Sequence, residues 1–155
     1  MDGGCACGAV RYRLTDAPMI VHCCHCTSCQ TETGSAFAVN AVIERNAVEL
    51  LVGDPELVAT PSESGKGQEI ARCPACRVAV WSHYAGSGRR CAFVRVGTLD
   101  TPGALPPDVH IFTRTKLPWI VLPAGAPTFE GFYPDPATVW TDAARARFRA
   151  MRHAI

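Results

Sequence analysis

The sequence predicts a mainly β fold, and three features carry that prediction. Short segments of alternating or continuous apolar character recur along the chain. Thirteen glycines and twelve prolines in 155 residues supply turns between them. Only one stretch, Thr141 to His153, reads as a sizeable helix.

Taken in order, Ala9 to Leu14 alternates apolar and polar residues as a half-buried strand does, and Asp16-Ala17-Pro18 breaks it. Met19 to Cys24 reads as a second strand, with His22 and Cys24 on one face and Val21 and Cys23 on the other. Ser28 to Thr33 is expected to form one or two helical turns, capped by Ser28 or Thr27 and stopped by Gly34. Ala36 to Ile43 is long, apolar and β-branched, as a buried strand is. Ala47 to Val52, Glu56 to Thr60 and Gln68 to Arg72 follow, separated by Gly53-Asp54-Pro55 and by Pro61 to Gly65. Val78 to Tyr84, Cys91 to Val96, Val109 to Thr113 and Trp119 to Leu122 complete the strands. In the helix Thr141 is the cap, and Ala144, Phe148 and Met151 share a face.

The composition, 48% hydrophobic and 19% charged, is that of a folded domain. A net charge of +1 gives no footing for nucleic acid or an anionic membrane as partner. No apolar run approaches the roughly 18 residues of a membrane span, and Met1-Asp2-Gly3-Gly4 begins no signal peptide. A cytoplasmic location with reduced thiols is therefore expected. There, clustered cysteines point to metal, and an odd count of nine argues against a fully paired disulfide framework.

Seven of the nine fall into two sets. Cys5, Cys7, Cys73 and Cys76 make two close pairs far apart in sequence, the layout of a closed four-thiolate zinc site that ties distant segments together. Cys24, Cys26 and Cys29 make a second set of three. Three readings of it stay open: closure by a fourth side chain such as His22, an oxidised disulfide, or an open zinc site holding water or a thiol. In the open site a thiolate made available at neutral pH is a nucleophile for a carbonyl carbon. Cys91 is expected in the core and Cys23 buried on the opposite strand face. His25 is expected to turn to solvent or to support the ligands from behind; His83, His110 and His153 have no distinguishing spacing. Arg145, Arg147, Arg149 and Arg152 read as a solvated helix face, and Arg11, Arg72, Arg77 and Lys116 as candidates to meet a substrate carboxylate.

Gly4-Cys5-Ala6-Cys7-Gly8-Ala9-Val10-Arg11-Tyr12, Cys24-His25-Cys26-Thr27-Ser28-Cys29, Gly34-Ser35-Ala36-Phe37 and Cys73-Pro74-Ala75-Cys76 together resemble the glutathione-dependent formaldehyde-activating enzyme / centromere protein V family. Gly97-Thr98-Leu99-Asp100, Pro107 to Ile111 and Leu117-Pro118-Trp119 are similar to its second half, so the resemblance spans about residues 3 to 140. It implies a β-tent fold of small antiparallel sheets, with a zinc-binding domain over 1–140 and a helical segment over 141–155 packed on it or extending from it. It also implies two zinc ions per chain: a structural one on Cys5, Cys7, Cys73 and Cys76, and a catalytic one on Cys24, Cys26 and Cys29. The activity implied is carbon–sulfur lyase chemistry, the joining of glutathione to formaldehyde; the other reading is a non-catalytic, zinc-stabilised interaction module. One departure stands out. The family usually has Gly after the second cysteine pair, where this chain has Arg77.

Overall fold

The structure, a computed structural model, describes residues 1–153. Ten strands form two sheets. In the smaller, β2 (Arg11–Leu14) lies between β1 (Asp2–Gly4) and β5 (Val48–Val52). The larger has seven strands in the order β10-β3-β4-β9-β8-β7-β6. Their ranges are Ile20–Cys24 for β3, Ala38–Glu44 for β4, Glu56–Thr60 for β6 and Gln68–Arg72 for β7. Those of β8, β9 and β10 are Ala79–Tyr84, Cys91–Arg95 and Val109–Ile111. Two helices, α1 (Thr27–Thr33) and α2 (Asp142–His153), complete the α and β elements. The expected helical segment's last two residues, 154 and 155, lie outside the described residues.

The expected alternation is visible in β2, where Tyr12 and Leu14 are buried and Arg13 is exposed. Tyr12 packs edge-on against Trp81 of β8, with ring centroids 5.8 Å apart, in a core shared by both sheets. A second core covers the other end of the large sheet. There Met19, Ile20, Val42, Val109 and Ile111 meet Trp140, Ala144 and Met151, so α2 is packed onto the sheet. Arg147 of α2 adds a bidentate bond to Glu44 at 2.6 and 2.9 Å, where the sequence had suggested a solvated side chain.

Three local expectations are corrected, and one strand, β1, has no counterpart among them. Trp119 to Leu122 is not a strand: prolines 118 and 123 flank it, Val121 is 90% exposed, and no neighbouring strand hydrogen-bonds it. β1 carries no apolar pattern at all. It pairs with β2 because a Cβ on Gly3 would come within 2.7 Å of Thr98 O and the Tyr12 ring, so only glycine permits the approach. The cap of α1 is Cys26, whose Sγ accepts from the Cys29 N–H at 3.3 Å, rather than Thr27 or Ser28. Gly34 ends this helix in the left-handed region as expected. Finally, every named strand pair is antiparallel except β10 with β3, which run parallel with Val109, His110 and Ile111 opposite His22, Cys23 and Cys24. Asp108 sets this register: its N–H donates to Val21 O at 2.8 Å and its carboxylate accepts from Val21 N at 2.7 Å.

Candidate functional site

Two short hairpins bring Cys5, Cys7, Cys73 and Cys76 together, and their sulfurs all lie within 4.8 Å of one another. The hairpins share one construction. In the first, between β1 and β2, Cys5 N–H donates to Val10 O, Gly8 N–H donates to Cys5 O, and Gly8 takes φ +78°. In the second, between β7 and β8, Cys73 N–H donates to Val78 O, Arg77 N–H donates to Cys73 O, and Arg77 takes φ +62°. Arg77 thus adopts the left-handed conformation that glycine would take freely, and its side chain bonds Glu56. The Cys5–Cys7 and Cys7–Cys73 sulfur separations are 3.6 and 3.7 Å. Four thiolates on a tetrahedral zinc at its usual bond length lie about 3.8 Å apart, so the donor set fits that ion. The Val10 N–H also reaches Cys5 Sγ at 3.3 Å, as amides around a sulfur ligand do.

The second set is assembled from the end of β3 and the start of α1. Cys24 closes the strand, Cys26 caps the helix and Cys29 lies in its first turn, all three buried with sulfurs within 4.8 Å of one another. No disulfide links any of the nine cysteines. Cys26 is the thiol that yields its proton first: the sulfurs of Cys24 and Cys29, helped by the Cys29 and Ser28 amides, pull its pKa well down against burial. Cys26 and Cys29, followed by burial, push Cys24 up.

These three sulfurs sit in a cavity of about 490 Å³. Aromatic side chains Phe93, Phe112, Phe132, Tyr133, Trp140 and Phe148 line it, and the loop from Ser62 to Lys66 forms part of its polar edge. His22 faces the same cavity, as strand alternation required, yet it does not join the thiol cluster. Its Nε2 lies 2.9 Å from the Tyr133 hydroxyl, which accepts from Trp140 Nε1 at 2.6 Å. Burial lowers the His22 pKa to about 4, keeping the ring neutral.

Cys23 is buried on the opposite face of β3, and there it meets His25 and His110. His25 is fully buried rather than turned to solvent; its Nε2 lies 3.1 Å from His110 Nδ1 and 3.5 Å from Cys23 Sγ. The His25 carbonyl accepts from Gln30 and Thr115, and its N–H donates to Ile111 O. This residue therefore bolts the ligand loop to β10. Spacing gave no sign of His110, because only the β3–β10 register places it here. Cys91 is a core residue, fully buried.

None of the four suggested carboxylate-binding cations lines the cavity. Arg11 forks onto Asp100, Arg72 bonds Glu32, Arg77 bonds Glu56, and Lys116 Nζ donates to the Leu117 and Ile120 carbonyls. Lys66 lines the cavity instead, and with it Gln68, whose buried Oε1 has no partner. The aromatic wall was also missed, although five aromatic residues between Phe129 and Phe148 are dense for a chain that is 8% aromatic.

Fold and site together define a mainly β protein with cysteine clusters able to hold metal ions, one of them buried and opening on an apolar cavity. The sequence model of one family, "Glutathione-dependent formaldehyde-activating enzyme", matches residues 1–115, and the chain belongs to that family. No curated protein matches the sequence. A Rhodobacter sphaeroides protein of known crystal structure is similar at 20% identity and a TM-score of 0.49, over 64% of this chain and 88% of that one. No helix among the described residues is long and apolar enough to cross a membrane.

Proposed function

We propose that this chain is a zinc-dependent carbon–sulfur lyase that, in the synthetic direction, adds a thiol to a small aldehyde in the cytoplasm. Family membership makes glutathione and formaldehyde the reference pair, and a net charge of +1 favours neither nucleic acid nor an anionic membrane as partner. The observation that carries the reading is the convergence of Cys24, Cys26 and Cys29, three buried sulfurs and no fourth donor among the described residues, on a cavity large enough for a small-molecule ligand. In this reading Cys24, Cys26 and Cys29 hold the catalytic zinc, and Cys5, Cys7, Cys73 and Cys76 the structural one. Residues 1–140 form the zinc-binding unit, and the terminal helix closes one side of the cavity through Phe148.

Zinc bound at the three-cysteine set supplies positive charge that favours a thiolate at neutral pH and steadies an oxyanion. The chain's own groups do the rest. The α1 N-terminus, with Cys26 as its cap, orients the sulfurs toward the cavity and favours negative charge on them. Neutral His22, held by Tyr133, and the aromatic side chains keep water from the carbonyl carbon. The bond formed joins sulfur to the carbonyl carbon; the thiol proton ends on the carbonyl oxygen, and nothing is oxidised.

Exchange spectroscopy by NMR on glutathione and formaldehyde tests this. The zinc-loaded chain should accelerate exchange, and Cys29→Ser should abolish the acceleration. No acceleration with any thiol and aldehyde would leave a zinc-stabilised interaction module.

A further inference from the structure

The cavity beside Cys24, Cys26 and Cys29 is much larger and more apolar than formaldehyde requires. Formaldehyde is little bigger than water, whose share of liquid volume is about 30 Å³, whereas the cavity measures about 490 Å³. Glutathione does not account for its lining either. That tripeptide carries two carboxylates and an ammonium group, and burying unpaired charge against aromatic surface is costly. Among the described residues, the only charged side chains that line the cavity are Lys66 and Glu63, both on the loop between β6 and β7. Glu63 is already bonded by Arg114 at 2.7 Å, so Lys66 is left to meet an anion.

The wall has a second property. Phe132, Tyr133, Trp140 and Phe148 all lie beyond residue 115, where the family match ends, while the three cysteines lie within it. The rings pack on one another: Phe132 lies tilted against Tyr133 with centroids 4.2 Å apart, and Trp140 meets Phe148 edge-on at 5.2 Å. Phe132 is also 53% exposed, a large ring left partly uncovered at a ligand cavity. Partly uncovered aromatic surface in a mostly apolar cavity is what a site presents to a ring or a branched alkyl group.

Resting on the proposed thiol–aldehyde reaction, we infer that the aldehyde this chain takes bears a ring-sized apolar substituent, and that the thiol's charged body stays at the edge beside Lys66. The substituent packs between Phe132, Tyr133 and Trp140, which leaves its carbonyl carbon toward the three sulfurs. As in the parent reaction, the sulfur–carbon bond forms, the S–H bond breaks and the proton passes to the carbonyl oxygen.

The test compares phenylacetaldehyde with formaldehyde, each with glutathione and the zinc-loaded protein, and scores the acceleration over the uncatalysed rate. The expected preference for phenylacetaldehyde is about tenfold or more, the scale on which an apolar pocket discriminates. Phe132→Ala, a change at a half-exposed ring that the cores do not need, should reduce that preference about fivefold. Binding is read separately from the reaction. 2-Phenylethanol, an unreactive mimic, should quench tryptophan fluorescence saturably, and Phe132→Ala should weaken it. Equal acceleration of the two aldehydes, a preference for formaldehyde, or no saturable binding overturns the inference and leaves the proposed reaction standing. Saturable binding with no acceleration of either pair overturns the reaction, and the aldehyde assignment with it.

Discussion

Arg77 occupies a position built for glycine, and its replacement measures what that costs. Its φ of +62° puts Cβ against the following carbonyl, a strain of about 1–2 kcal/mol for a residue with a side chain. Its ion pair with Glu56 offsets little, because those side chains are 62% and 52% exposed and such pairs contribute about 0–1 kcal/mol. Two variants separate the terms. Arg77→Ala loses the ion pair and keeps the strained backbone, whereas Arg77→Gly loses both the ion pair and the strain. The greater freedom of glycine in the unfolded chain returns part of the gain, roughly 0.5–1 kcal/mol. Arg77→Gly should therefore be more stable than Arg77→Ala by about 0.5–1 kcal/mol, or roughly 1–4 °C in Tm for a chain of this length. Thermal unfolding at a fixed, buffered zinc concentration is the assay, so that metal occupancy does not vary between the proteins. An alanine variant equal to or more stable than the glycine variant would refute the account of this turn.

Other outcomes follow from the same geometry. Cys76→Ser should yield insoluble protein, or soluble protein short of one zinc per chain by elemental analysis. Undiminished zinc in a normally folded variant removes the four-thiol assignment. Gly3→Ala should cost about 1–3 kcal/mol in denaturant unfolding, because the added methyl meets Thr98 O and the Tyr12 ring at 2.7 Å. Acid should weaken the fold through His22. Burial holds its pKa near 4, while the unfolded chain begins to take up a proton near 6.5. The unfolded state therefore binds more protons between those values: stability is full above about pH 6.5 and falls as pH drops toward 4, by about 2 kcal/mol between pH 7.5 and 5. His22→Gln should flatten that slope in parallel unfolding curves, and identical slopes would contradict the burial argument.

How much of this was legible depends on how local each feature is. β6 and β7 begin and end where pattern and turn residues put them, since Gly53-Asp54-Pro55 and Pro61 to Gly65 act over a few residues. Strand alternation also placed His22 and Cys24 on one face and Cys23 on the other. It could not tell that His22 would be taken up by Tyr133, 111 residues away. The two cysteine sets were readable because sulfur ligands have a fixed spacing grammar, and the structure brings each set together. Their setting was not readable. His110 gains its neighbours only through a parallel strand pair that no hydrophobic period announces, and β1 forms through the absence of side chains rather than through a pattern. Trp119 to Leu122 failed for the converse reason: an apolar run becomes a strand only where an edge is free to pair with it, and here Trp119 and Val121 face solvent.

The two thiol clusters differ in how much chain each encloses, and that difference bears on synthesis. Cys24 to Cys29 span a single turn-sized segment, whereas Cys7 and Cys73 are 66 residues apart. A chain growing from its N-terminus can complete the three-cysteine set almost as soon as α1 emerges. The four-cysteine set stays divided until Cys76 has been made. A metal ion captured early at the three thiols would be held by a loop that closes at little entropic cost, while one bound at the four thiols would close a long loop and record that both sheets have met. Metal at the first position would be able to precede folding; metal at the second would report that folding has occurred.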